Sequence, residues 1–228
     1  MAILGSKQTD NKENSKEVFH FPTSKNALII FTRNPELGKC KTRLAATVGD
    51  KTALDIYTFL INHTAKVSAA VQADKFVYYS VKVRENDAWD ASIFRKKQQH
   101  GDDLGSRMNN AFSEVFSHGY ERAVIMGSDL YDINSKDIDE AFTKLQNNDV
   151  VLGPAEDGGY YLLGMKTLHP TLFTNKDWGT ATVQEATLAD LTSKKVILLA
   201  EKNDVDYYED IKDVAAFQPF LKDLNLPK

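Results

Sequence analysis

The chain has 228 residues, 42% hydrophobic and 26% charged, which suffices for the core of one large α/β domain or at most two small ones, and one is expected. A formal net charge of -4 excludes a footprint for bulk nucleic-acid binding, so basic residues matter only where they cluster, and a small charged ligand is the better expectation. The single cysteine, Cys40, excludes an internal disulfide, and without a secretory signal or a run of ~18 apolar residues the expected setting is cytoplasmic, with no membrane insertion.

Residues 1–25 are mostly polar and show no sustained period, so they read as a tail, and residues 26–228 as a single nucleotide-binding domain. The runs "ALIIFT" (27–32), "KFVYYSVKV" (75–83), "RAVIMGS" (122–128) and "DVVLG" (149–153) suit buried parallel strands, and "YYLLGM" (160–165) and "KKVILLA" (194–200) add two more. Between them lie helical patterns: residues 50–71, with Leu54, Tyr57, Ile61 and Thr64 on one face, then 104–119, 135–148 and 182–193. Alternating strands and helices predict a mostly parallel, doubly wound sheet.

Four stretches adjoin predicted strands and carry candidate chemistry. In "NPELGKCKTRL" (34–44), Gly38 lets the backbone approach an anion, while Lys39, Lys41, Thr42 and Arg43 supply donors to its oxygens. The pattern is neither a Walker loop nor a dinucleotide fingerprint, and a solvated turn is the plain alternative. Lys41 and Arg43 are both expected to face solvent until a ligand arrives. Cys40, between two lysines, has a setting that can lower a thiol pKa without making it catalytic.

In "QHGDDLGSRM" (99–108), Asp103 and Arg107 stand at a helix entry, where Asp103 serves as an N-cap, as a ligand contact, or as both. In "VIMGSDLYD" (124–132), an apolar strand runs into Asp129, placed where Mg2+ can bridge one carboxylate to phosphates. In "GPAEDGGYYLLG" (153–164), paired glycines make a tight turn beside Glu156 and Asp157, pinning acids that can be aimed at a hydroxyl or a water. The histidines at 63, 100, 118 and 169 fit no metal-ligand spacing.

Taken together, "FTRNPELGKCKTRL", "GDDLGSRM", "MGSDL", "GPAEDGGYYLLG" and "DVDYYEDI" resemble, in order and spacing, the bacterial DUF2064 family of GT-A-type, glycosyltransferase-like proteins, over roughly residues 26–214. That family is similar to nucleotidyltransferases of the nucleotide-diphospho-sugar transferase fold, among them phospholactate guanylyltransferase, whose early loop also ends in a K-[TS]-R-L pattern. The resemblance implies a three-layer α/β/α domain binding a nucleotide at the carboxyl edge of its sheet. It further implies that Gly38, Lys41, Thr42 and Arg43 contact phosphate, that Asp129 is the first metal ligand, and that Asp206 is the second. Leu130 and Tyr131 stand where the family has Cys-Pro, and Tyr207 and Tyr208 where it has Thr-Pro, which alters the loops and keeps both carboxylates.

The function expected from the resemblance is glycosyl transfer from a nucleotide-sugar to a small-molecule acceptor, with Mg2+ or Mn2+ neutralising the leaving diphosphate. Asp129 belongs to the catalytic set, and Asp157 or Glu156 orients or deprotonates the acceptor hydroxyl. The density of Lys and Arg over residues 39–43 favours an alternative, nucleotidyl transfer from a nucleoside triphosphate to a phosphorylated acceptor with release of pyrophosphate. A third possibility, of another class, is nucleotide binding without turnover.

Overall fold

The computed structural model describes residues 21–222 and 224. Continuous apolar runs become central strands because both of their faces are covered. Strand β1 (Asn26–Thr32) is the clearest case, with Ala27 to Ile30 fully buried. The others are β2 (Asp74–Tyr79), β3 (Phe94–Gln98), β4 (Arg122–Met126), β5 (Val150–Pro154), β6 (Tyr160–Met165) and β7 (Val196–Leu198). They form one seven-stranded sheet in the order β3-β2-β1-β4-β6-β5-β7. Only β6 is antiparallel to its neighbours, β4 and β5; every other pairing is parallel.

Successive residues of the central strands feed opposite layers, as the two-residue period of a strand requires. Leu28, Ile30, Val77, Val124 and Met126 pack with Tyr57, Ile61 and Ala65 of helix α2 (Asp50–Ala69) and Ile138, Ala141 and Phe142 of α4 (Ser135–Lys144). Ala27, Ile29, Phe76, Ala123 and Ile125 pack with Met108, Ala111, Phe112 and Val115 of α3 (Leu104–Ser117). The result is a three-layer α/β/α architecture with a mostly parallel sheet. A third apolar cluster joins α2 and α1 (Thr42–Val48) to Val205, Ile211, Phe217 and Leu221, which clasps the C-terminal segment to the body of the fold.

Three local features depart from the pattern read along the chain. Strand β3 was not expected, since "FRKKQ" carries three consecutive cations; it is an edge strand, and the charges are paired, Lys96 with Asp87 at 2.8 Å and Lys97 with Glu114. The buried face of α2 is centred on Ile56, Tyr57, Leu60 and Ile61, so Leu54 is only partly covered. Residues 1–20 of the expected tail lie outside the described residues, whereas Thr23 is bonded to Asp74, its amide at 2.7 Å, and the Lys25 carbonyl accepts from the amides of Glu121 and Arg122. Among the described residues no helix is long and apolar enough to cross a membrane.

The sheet direction decides where chemistry can gather. Strands β1, β4 and β5 end, and β6 begins, along one edge, since Pro154 pairs with Tyr160 across the β5–β6 turn. All four stretches singled out in the sequence open onto that carboxyl edge, where the strands' last residues hand over to loops.

Candidate functional site

After β1 the chain turns at Gly38, with φ of 70°, and reaches Lys41, which takes a left-handed backbone with φ of 48°. Left-handed backbone is uncommon for a residue with a Cβ and marks a position held by its surroundings. The holding contacts are two carboxylates. The Lys41 ammonium donates to Asp129 Oδ2 at 2.9 Å and to Asp206 Oδ1 at 2.8 Å, and its side chain is only 6% exposed. Burial works to lower the Lys41 pKa, but Asp129 and Asp206 outweigh it and raise the pKa above the ordinary lysine value. This corrects the expectation of a solvent-facing Lys41. The side chain is folded back because two acids at the sheet edge offer it more than water does.

Arg43 behaves differently from Lys41. Its guanidinium bonds Asp206 Oδ2 at 3.0 Å and lies 5.6 Å from the centre of the Tyr207 ring, but its side chain remains 54% exposed. Gly38, Lys39 and Thr42 are exposed, and Lys39 pairs with Glu36 at 2.9 Å. Cys40 is buried and its thiol donates to the Glu36 carbonyl; burial pushes its pKa up, so the lowering suggested by the two flanking lysines does not occur.

Asp129 and Asp206 are brought together by direct pairing of their segments, with Leu130 bridged to Asp204 and the Val205 amide donating to the Asp129 carbonyl at 3.2 Å. In the extended run "DVD", residues 204 and 206 point to one side and the buried Val205 to the other. One ligand atom from each of Asp129, Asp204 and Asp206 lies within 4.8 Å of the others. Asp204 was missed in the sequence, although the alternation of two aspartates around a valine was there to be read. Burial, then the charges of Asp129 and Asp206, push the Asp204 carboxyl up to about 6. Burial also raises Asp206, but Lys41 and Arg43 overcome it and hold Asp206 below the ordinary carboxylate value.

Three hard carboxylate oxygens at this spacing suit Mg2+ or Mn2+, and a cation, the Lys41 ammonium, already bridges two of them. The acidic triad can therefore hold a divalent ion. Its supports are built in. Beneath Asp129, the buried Ser128 hydroxyl donates to Thr32 Oγ1 at 3.1 Å and lies 3.2 Å from the Tyr57 hydroxyl, which in turn accepts from the Arg33 amide. Behind Asp206, the Asp210 carboxylate accepts from the amides of Asp206 and Tyr207 at 2.8 and 2.6 Å, locking the turn. The residues that depart from the family pattern are also accounted for: Leu130 is buried at the bridge, Tyr131 packs on Phe59 and Phe217, and Tyr207 lies under Arg43.

On the other side of the triad lies a cavity of about 260 Å³ lined by Asp129, Asp157, Asp204, Phe31, Tyr160 and Trp178 among others. The turn that delivers Asp157 depends on Gly158. Its φ is 83°, and an added Cβ would fall 2.3 Å from the Ala181 carbonyl oxygen, so the acidic turn packs directly on the segment that carries Trp178. Asp157 accepts from the Gly159 amide at 2.8 Å and faces the cavity, whereas Glu156 is exposed and is not among the lining residues. Asp103 caps α3, its side chain accepting from the Ser106 amide at 2.7 Å, and Arg107 donates to the Gly101 carbonyl at 2.9 Å. These two residues hold the helix entry, and neither lines the cavity.

Comparison with known proteins bears on the fold and the family. A provisionally named nucleotide-diphospho-sugar transferase from Desulfovibrio desulfuricans G20 is similar at 30% identity, covering 87% of this chain and 94% of its own, with a TM-score of 0.78. CMP:2-keto-3-deoxy-manno-octonic acid synthetase complexed with CTP superposes with a TM-score of 0.53 at 12% identity, covering 86% of this chain and 99% of its own. Rv0371c of Mycobacterium tuberculosis H37Rv, in complex with manganese, gives a TM-score of 0.53 at 12% identity, covering 88% and 100%. The last two show the fold alone. No curated protein matches the chain. Residues 63–180 match the family described as an uncharacterized protein conserved in bacteria, and with a relative 30% identical over most of both chains, this protein belongs to that family, DUF2064.

Proposed function

We propose that the chain is a metal-dependent, nucleotide-using transferase, and that glycosyl transfer from a nucleotide-sugar is its reaction. One observation carries the reading: at a single sheet edge, the Asp129–Asp204–Asp206 triad has an exposed basic loop on one side and a cavity with a pinned acid, Asp157, on the other. The nucleotide-diphospho-sugar transferase name of the Desulfovibrio relative supports the glycosyl route, and the CTP and manganese bound by two proteins of the same fold support the broader reading of a metal-dependent, nucleotide-using transferase.

The residues divide the work. Arg43, Lys39 and the backbone around Gly38 offer donors to a diphosphate. Bound at Asp129, Asp204 and Asp206, Mg2+ or Mn2+ would supply the charge that stabilises the departing phosphates. Asp157 takes the proton from the acceptor hydroxyl; that oxygen bonds to the anomeric carbon as the bond from that carbon to the diphosphate oxygen breaks, and the nucleoside diphosphate leaves with the electron pair. Glu156, outside the cavity lining, has the weaker claim to the proton.

Nucleotidyl transfer is the second reading, favoured by the number of cations in residues 39–43. That argument is weakened by the structure, since Lys41 and Arg43 are engaged by Asp206 and add less free positive charge to the loop than the sequence suggests. The test is a melting-temperature screen of nucleotide-sugars and nucleoside triphosphates with and without Mg2+ or Mn2+, followed by product analysis. Metal-dependent stabilisation by a nucleotide-sugar, with release of nucleoside diphosphate, is expected. Release of pyrophosphate from a triphosphate would establish the second reading instead, and stabilisation without any product would leave a binding protein.

A further inference from the structure

The cavity beside the triad has a chemical character of its own. Its walls are Phe31, Leu104, Met108, Tyr160 and Trp178, and none of its lining residues is a lysine, arginine or histidine. Its charged groups are acids: Asp129, Asp157 and Asp204. The Lys41 ammonium, close to Asp129, is taken up by Asp129 and Asp206. Two details fit a ligand with a flat or ring-shaped face. Gly105 of α3 lets the Trp178 ring lie close, since a Cβ there would meet Trp178 Nε1 at 2.8 Å. The Tyr160 hydroxyl, largely buried, has the Met108 sulfur as its hydrogen-bond partner at 3.9 Å, a weak acceptor that a ligand hydroxyl would better.

We propose that this cavity is the acceptor site and that it takes an uncharged, hydroxyl-bearing ring, such as a glycoside or polyol, and rejects a phosphorylated or carboxylated one. The proposal rests on the transferase reading above. A phosphate placed here would meet Asp157 and, while no ion is bound at the triad, Asp129 and Asp204 as well, with no lysine, arginine or histidine in the lining to offset them, and in a half-enclosed cavity like charges repel. A neutral ring meets the Trp178 and Tyr160 faces, with hydroxyls within reach of Asp157 and of the Tyr160 oxygen. Specificity of this kind is set by what the cavity repels as well as by what it holds.

Trp178 lets the idea be read directly. The only other tryptophan, Trp89, is 1% exposed in the core against Phe94. In the full chain carrying Trp89→Phe, with EDTA present so that no ion sits at the triad, emission would be titrated with phenyl glucoside, phenyl galactoside and phenyl mannoside and with the 6-phosphate of each. At least one neutral glycoside should change the emission saturably, with its 6-phosphate at least tenfold weaker. Leu104, 44% exposed at the cavity edge, provides the converse: Leu104→Lys should narrow that gap at least tenfold by tightening the phosphorylated probe. A 6-phosphate binding as tightly as its neutral partner in the Trp89→Phe protein would overturn the proposal. So would silence from every neutral glycoside, including the case where a nucleotide-sugar shifts Trp178 emission, which would make the cavity the donor sugar's place. The transferase reading is scored separately by metal-dependent stabilisation with nucleotide-sugar. If glycosides bind and that stabilisation is absent, the transferase reading fails and the cavity's selectivity stands.

Discussion

Lys41→Met isolates what the internal ammonium does. Methionine keeps most of the stem volume and removes the charge, leaving Asp129, Asp204 and Asp206 within 4.8 Å of one another with no cation between them. Two charge-assisted hydrogen bonds are lost, each worth ~1.5 to 3 kcal/mol in general. The carboxylates are 35% and 29% exposed and regain water, so the sum must be discounted, to about 2 to 3 kcal/mol in metal-free buffer. For a chain of this size that is a melting decrease of ~4 to 12 °C. A divalent ion then enters without displacing an ammonium. At a free concentration a hundred times its Kd, Mn2+ restores ~2.7 kcal/mol, close to what the substitution removed. Urea unfolding in EDTA and in Mn2+, with direct titration of Mn2+ by calorimetry, measures both halves. Equal stability of the two proteins in EDTA together with equal Mn2+ affinity would show that Lys41 neither stabilises the triad nor competes for it.

Asp204 predicts a pH dependence. Its folded pKa of about 6 lies above the ordinary 3.8, so the native state binds the extra proton between those values. The contribution of Asp204 to metal-free stability therefore falls as pH rises from about 4 to about 6 and levels off above. Urea midpoints in EDTA from pH 4 to 7.5 should show the wild type losing stability relative to Asp204→Asn across that window; profiles of identical shape would remove Asp204 as the source. Gly158→Ala forces a side chain onto a positive φ and into the Ala181 carbonyl, which should cost ~1 to 3 kcal/mol and red-shift Trp178 emission, and an unchanged spectrum and melting point would count against the packing described. Asp210→Asn weakens the acceptor for the Asp206 and Tyr207 amides, so Mn2+ affinity should drop severalfold though residue 210 touches no ion, whereas unaltered affinity would make that turn irrelevant to the site.

The parts of the fold that were legible were those where one physical cause dominated. Strands β1, β4 and β5 announce themselves because burial on both faces demands unbroken apolar runs. Strand β3 was hidden because an edge strand tolerates Arg95, Lys96 and Lys97 when partners such as Asp87 and Glu114 wait on other elements, a matter of tertiary pairing that no local pattern encodes. The reversed direction of β6 had a local cue in Asp157-Gly158, a common hairpin dipeptide, but the cue competed with the expectation of parallel strands. Asp129 and Asp206 were readable as acids at strand or loop ends. Asp204 required seeing that an extended D-V-D places two carboxylates on one side.

Lys41 shows why a charge run cannot be assigned a partner from sequence alone. A lysine next to Gly38, Thr42 and Arg43 has the right chemistry for phosphate, and the same chemistry suits any cluster of carboxylate oxygens the fold brings nearer. Here β1 and β4 are adjacent and parallel, so the loop after β1 opens within reach of Asp129 at the end of β4. The C-terminal segment then adds Asp206 through its pairing with residues 129 and 130. Lys41 takes a left-handed backbone and a buried ammonium because three acids converge there before any ligand does. On the proposed function, phosphate and divalent metal would arrive as a compensating pair: the metal would satisfy the aspartates that Lys41 leaves, and the phosphate the ammonium that leaves them. On that account the affinities for Mn2+ and for a nucleotide should rise together in the wild type, each ligand tightening the other by the same factor. In Lys41→Met that reciprocity should shrink, because the ion no longer needs the phosphate to hold the displaced charge. Calorimetric titration of each ligand in the presence and absence of the other measures the factor in both proteins, and equal coupling in the two would sever Lys41 from the exchange.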